Sequence, residues 1–168
     1  DLASIPLPID YAPRPSVPTG FPAGSIRRSN ADLFVGRGST PETAQEMIRA
    51  YLASSAWMDH NAGRVLDALE KLGLADSTIV VFWGDHGYQL GEKGKWSKAG
   101  SLWEQGLRVP TVIYDPRAAG NGRVCRCVVQ SLDFLATLCD LCEMPRPSGV
   151  EGRSLKPFLD NPDTPSDE

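Results

Sequence analysis

The 168-residue sequence has no apolar run long enough to span a membrane, no internal repeat and no excess of positive charge. A membrane helix needs about 20 consecutive, mostly apolar residues, so no transmembrane segment is expected. With 17 Lys and Arg against 21 Asp and Glu the net charge is −4, which argues against nucleic acid as the main partner. A local basic patch can still bind an anion on an acidic protein. Cysteine is scarce, at four residues. Cys125-x-Cys127 and Cys139-x-x-Cys142 admit a four-thiolate zinc site, two disulfides or free thiols. Cys139 and Cys142 fall on one face of an expected helix among leucines, and cysteine packs as a small hydrophobe, so buried free thiols are the preferred reading.

Regular structure is also lacking at the start. Pro6, Pro8, Pro13, Pro15, Pro18 and Pro22 exclude a regular helix there, and residues 1–40 read as a Pro/Gly-rich surface segment. Arg27, Arg28 and Arg37 in it can attract an anion, although solvated loop arginines are the commoner case. Residues 41–160 read as the structured body and 161–168 as an acidic tail, with the stretch from Asp160 onward mobile or surface-bound.

Within the body, Thr40, Pro41 and Glu42 form a helix start. Met47, Tyr51, Trp57, Met58, Val65, Leu66, Leu69 and Leu72 then recur at helical spacing up to Gly73, with a break allowed near Asn61 to Gly63. Strands are expected at 78–83, 109–114 and 124–129. A helix is expected from Ser131 or Asp133 to before Pro145, and a short one at 155–159. A long helix followed by a buried strand suits a crossover onto a parallel sheet, hence an α/β fold.

The most informative stretch is Ile79-Val80-Val81-Phe82-Trp83-Gly84-Asp85-His86-Gly87 and the loop after it, Leu90-Gly91-Glu92-Lys93-Gly94-Lys95-Trp96-Ser97-Lys98. Five consecutive apolar residues read as a strand covered on both faces, and ligands in open α/β sheets collect at the carboxyl ends of strands. That end carries a carboxylate and an imidazole inside a glycine pair. A hard cation such as Ca²⁺ or Mg²⁺ prefers carboxylate oxygens, and the imidazole can complete the shell or orient an anionic substrate. For an isolated Asp-His pair a simple turn is the commoner role; the apolar strand before it and the lysine-rich, Trp-containing loop after it favour a site.

The segment Gly84-Asp85-His86-Gly87-Tyr88-Gln89-Leu90-Gly91-Glu92-Lys93-Gly94-Lys95-Trp96-Ser97-Lys98 resembles the late active-site motif of type I sulfatases, closest to the iduronate-2-sulfatase-like branch of this alkaline-phosphatase-superfamily group. Weaker likeness runs from about Pro41 to Leu159, through Tyr51-Leu52-Ala53-Ser54, Leu102-Trp103-Glu104 and Arg108-Val109-Pro110 among others. The resemblance implies helices around a mainly parallel sheet, here only its C-terminal portion. It implies Asp85 and His86 as two ligands of a catalytic Ca²⁺, and Lys98 as the lysine that touches the sulfate ester. Tyr88 and Trp96 can wall the substrate pocket or pack the loop down. Lys93 and Lys95 are expected to be solvated. The implied substrate is a sulfated small molecule, sugar or glycan, and the implied location is periplasmic, secreted or lysosome-like.

The family's formylglycine arises in a Cys/Ser-x-Pro-x-Arg motif, and this sequence has none. Cys142-Glu143-Met144-Pro145-Arg146 places proline one position late and lies after the metal motif. The early aspartate pair and the Lys-Pro-His segment of the family are also missing, and His60 has no matching neighbours. The chain is therefore expected to be the C-terminal part of a catalytic domain, beginning just after the Lys-Pro-His region, with the remainder of that domain as its partner and no activity alone. Phosphoryl or phosphonate ester hydrolysis within the same superfamily is the alternative, set back by the presence of only two histidines. A non-catalytic fragment or pseudoenzyme is the other.

Overall fold

The computed structural model describes residues 2–25, 32–34 and 38–166. Helix α1 is Pro41–Lys71. Thr40 starts it: its hydroxyl accepts the Thr43 N–H at 3.3 Å, while the Thr43 hydroxyl accepts the Thr40 N–H at 2.8 Å. This is a reciprocal cap that satisfies orphan donors of the first turn. The helix is unbroken through Asn61 to Gly63, where the Asn61 amide donates back to Trp57 O at 2.8 Å and Gly63 faces open space. It stops at Gly73, whose φ of +66° favours glycine. The Leu74 N–H then reaches Leu69 O at 2.9 Å and the Gly73 N–H reaches Glu70 O at 3.0 Å, the paired bonds of a Schellman cap.

Strand β1 (Val80–Trp83) pairs with β2 (Thr111–Tyr114), and α2 (Glu104–Leu107) lies between them in sequence. The Gly84 N–H donates to Pro110 O at 3.0 Å, tying the end of β1 to the start of β2. That is the register of an antiparallel pair. The expected burial of β1 on both faces is not met: Phe82 and Trp83 are exposed, and β2 is the only strand beside it among the described residues. The strand expected at 124–129 is absent, since that stretch joins no ladder and Val124 and Val128 lie exposed.

The chain forms two compact units. The first, Asp1–Ala68 with Trp83–Thr111, has a core of Phe34, Ala44, Ile48 and Trp96, flanked by Ile5, Leu7, Tyr11, Met47 and Leu90. The Pro-rich segment is held to this unit by Tyr11, whose hydroxyl reaches the Ser39 carbonyl at 3.1 Å and the Ser39 hydroxyl at 2.9 Å.

The second unit, Leu69–Phe82 with Val112–Glu168, contains α3 (Leu132–Leu141) and α4 (Lys156–Asp160), which pack together. Thr137 joins them by accepting the Leu155 N–H at 2.9 Å. Arg117 forks onto Asp115 at 2.7 and 2.9 Å and donates to the last-turn carbonyl of Leu141 at 2.8 Å. The tail is surface-bound as far as it is described, through an Arg123–Asp163 ion pair and the Cys127 thiol, which donates to Thr164 O at 3.8 Å. All four cysteines are free thiols, but only Cys139 is fully buried. Cys142 is exposed, because it follows the last helical residue of α3 and leaves the buried face.

Candidate functional site

Chemistry-bearing side chains gather where β1 ends. Asp85 and His86 follow the last ladder bond directly, and Gly87 explains why the chain can pass there. Its N–H donates to Gly106 O at 3.1 Å, and a Cβ at position 87 would stand 2.2 Å from Gln105 O, so the backbone of α2 crosses where only glycine fits. The pair is thus fixed between β1 and α2 by main-chain contacts, leaving both side chains exposed. The His86 Nδ1 lies 2.8 Å from Gly87 O. A carbonyl can only accept, so Nδ1 carries the proton and the Nε2 lone pair is left for a ligand. The Lys98 Nζ comes within 3.5 Å of Asp85 Oδ2, with side-chain exposures of 51% and 85%.

The loop that brings Lys98 back is closed by short bonds: Gly94 N–H to Gly91 O, Lys95 N–H to Glu92 O and Gly91 N–H to Lys95 O, each 2.9 Å. The Pro-rich segment braces it from outside. Lys93 N–H donates to Asp10 O and Ser16 N–H to Lys93 O, both at 2.9 Å, and Tyr11 bridges Glu92. A Cβ on Gly94 would stand 2.0 Å from Arg14 O, and φ there is +72°. Glycine is required on both counts.

Three expectations change here. Lys93 is not solvated: its ammonium pairs with Asp10 at 2.6 Å and sits 4.7 Å above the Trp103 ring. Lys95 is fully buried and pairs with buried Asp32 at 2.8 Å. Both lysines found carboxylates distant in sequence. Trp96 is 1% exposed and meets Phe34 edge to face at 5.2 Å, so it packs the loop down and presents no ring face to a bound molecule.

Tyr88 is half-buried beside Tyr51, with ring centroids 5.4 Å apart, and its hydroxyl donates to Trp96 O at 2.9 Å. Burial pushes its phenol pKa up, and the charges of Asp32 and Tyr51 push the same way, so it stays a donor. Arg27, Arg28 and Arg37 lie outside the described residues.

The structure therefore brings Asp85 and Lys98 together beside His86, and turns the Tyr88 hydroxyl to Trp96 O in the loop that carries Lys98. Sequence reasoning missed Asp32, which no local pattern marks: its partners are 63 to 65 residues away. Among the described residues no group of three or more His, Cys, Asp or Glu is placed to hold a metal ion. Asp85 and His86 supply one carboxylate and one available imidazole nitrogen, a donor pair that fits part of a hard-cation shell. No helix among the described residues is long and apolar enough to cross a membrane.

The sulfatase family model matches residues 11–144. An N-acetylglucosamine-6-O-sulfatase from Bacteroides thetaiotaomicron is 39% identical over 124 residues, 73% of this chain and 22% of that protein. Human iduronate 2-sulfatase is 39% identical over 64% of this chain and 22% of its own length. A solved protein in complex with its substrate D-glucosamine-2-N,6-O-disulfate superposes with a TM-score of 0.70 at 38% identity, covering 76% of this chain and 26% of that one. A phosphonate monoester hydrolase from Silicibacter pomeroyi superposes with a TM-score of 0.71 at 33% identity, covering 77% and 25%. The chain spans about a fifth of the length of these curated relatives, 22% of each.

Proposed function

Since this chain belongs to the sulfatase family, we propose that it carries the metal-and-lysine half of the active site of a sulfuric ester hydrolase acting on a sulfated sugar or glycan. The observation that carries this reading is the approach of Lys98 Nζ to Asp85 Oδ2 at 3.5 Å, with both groups exposed beside a histidine whose Nε2 lone pair is available. A loose, exposed ion pair adds little stability. It does leave a cation and a carboxylate ready to exchange each other for a metal ion and an anionic substrate.

Asp85 and His86 would hold a Ca²⁺ ion together with donors from elsewhere in a longer chain, and that ion would neutralise charge on the sulfate oxygens. The formylglycine nucleophile of the family is assigned to that longer chain as well. Lys98 acts on the other side of the reaction. When the S–O bond to the sugar oxygen breaks, the electron pair leaves with that oxygen, and an ammonium held close stabilises the charge building there. Tyr88, kept protonated, anchors the loop through Trp96 O. The resemblance to exported enzymes extends the reading to a periplasmic, secreted or lysosome-like location.

The test is turnover by the full-length protein. Lys98→Ala and Asp85→Ala should each lower kcat/KM for a sulfate monoester by about 10²-fold or more, the scale of losing one charge-stabilising contact. Full activity in both variants would sink the assignment.

Phosphonate ester hydrolysis is the second reading, favoured by the phosphonate monoester hydrolase superposition. An aryl sulfate and an aryl phosphonate assayed side by side decide between the two. Two histidines in the chain favour the sulfate side, because transition-metal sites draw more heavily on imidazole.

A further inference from the structure

Lys98 itself has little to fix it. Its side chain is half exposed, and its polar contact among the described residues is the 3.5 Å approach to Asp85. The three residues before it are held very differently. The Asp32 carboxylate accepts the Lys95 ammonium on Oδ2 at 2.8 Å, and on Oδ1 it accepts the Trp96 N–H at 3.2 Å and the Ser97 hydroxyl at 2.7 Å. One carboxylate offers about four lone-pair sites, enough for an ammonium, a peptide N–H and a hydroxyl at once. Asp32, Lys95, Trp96 and Ser97 are all buried, and the chain bends at 97–98 immediately after this clamp.

We propose that Asp32 is a positioning residue for Lys98: by gripping Lys95, Trp96 and Ser97 it fixes the point from which the Lys98 side chain reaches the leaving oxygen. The inference rests on the role given above to Lys98. The Lys95 ammonium is buried against Asp32 at 2.8 Å, whereas the Lys98 side chain is half exposed, so the ammonium presented to an anion is that of Lys98. A carboxylate is suited to this task because charge-assisted bonds are short and directional, and a displacement of about 1 Å at a reacting group can cost about 10²-fold in rate.

The test uses the full-length protein with two probes, 4-nitrophenyl sulfate and phenyl sulfate, the second having the poorer leaving group. Lys98→Ala should hurt turnover of phenyl sulfate more than that of nitrophenyl sulfate, because the ammonium acts on leaving-group charge. Asp32→Asn should lower kcat for phenyl sulfate about 10-fold or more, reproduce the same leaving-group dependence, and cause no further loss in the Lys98→Ala background. A merely structural defect would lower both substrates equally and multiply with Lys98→Ala; that result overturns the proposal. If Asp32→Asn does not give folded protein, Ser97→Ala, which deletes one donor of the clamp, must show the same dependence in weaker form, and an equal loss on both substrates overturns the proposal there too. Absence of leaving-group dependence in Lys98→Ala itself would overturn the role of Lys98 and this inference with it.

Discussion

At the scale of single residues, the buried ion pair of Asp32 and Lys95 separates what a local pattern can reveal from what it cannot. From the lysine-rich loop alone, Lys93 and Lys95 read as solvated side chains. Lys95 is not, because Asp32 arrives from 63 residues upstream. Breaking a buried ion pair by removing one partner costs about 3–5 kcal/mol, whereas replacing both charges is far milder. Lys95→Met is therefore expected to lower the denaturation midpoint sharply, and Asp32→Asn with Lys95→Met to recover most of it; equal losses in the two variants, followed by urea unfolding, would contradict this.

Asp115 makes a pH-dependent contribution of the opposite kind. The hydrogen bond from Arg117 is the main influence holding its carboxyl below the usual carboxylate range, against the effect of burial. A group whose folded pKa is depressed adds stability above its unfolded pKa of about 3.9, and that stability is lost as pH falls through the lower folded value. Asp115→Asn should thus be less stable than the parent at pH 7, with the difference closing only below the normal carboxylate range. A gap that stays constant as the pH falls below that range would refute the linkage.

At the scale of elements, helices were legible because they announce their ends. Thr40, Pro41 and Glu42 start α1 and Gly73 stops it, and the cap is built from Thr40 and Thr43 as reciprocal partners. Thr40→Ala should cost about 1 kcal/mol, the usual value of an N-cap side chain. An unchanged melting temperature would mean that the end of α1 is held by other contacts. Strands were less legible, since an apolar run declares that it will be covered but not by what. Residues 80–83 and 111–114 met each other, and 124–129 met no strand among the described residues, so the same reading succeeded twice and failed once. The site was legible in its outer members, Asp85, His86 and Lys98, because motif and strand end coincide. Its brace was not, because the contacts of Asp10, Tyr11, Arg14 and Asp32 with the loop are tertiary and leave no spacing in the sequence.

At the scale of the whole molecule, many large apolar side chains stand exposed among the described residues. Along α1 only Ala44 and Ile48 are buried, while Tyr51, Leu52, Trp57, Met58, Val65 and Leu66 stand exposed, and Phe82 and Trp83 of β1 join them. Apolar faces of this kind mark surfaces meant to be covered. The chain accounts for 22% of the length of the two curated relatives named above, and we propose further residues of the same catalytic domain as the cover. The chemistry points the same way. A Ca²⁺ ion takes six to eight oxygen ligands or close equivalents, and Asp85 and His86 supply two donors. The sequence also lacks the family's nucleophile motif. The isolated 168-residue chain is therefore expected to hydrolyse 4-nitrophenyl sulfate no faster than buffer, with or without added Ca²⁺, and to bind an apolar dye through the uncovered face of α1. Turnover by the isolated chain would require a nucleophile and metal donors within it, and would overturn the division of the active site argued above. Loss of dye binding with retained inactivity, once the longer chain is supplied in the same polypeptide with its own nucleophile mutated, would show that the exposed face of α1 is covered by that chain.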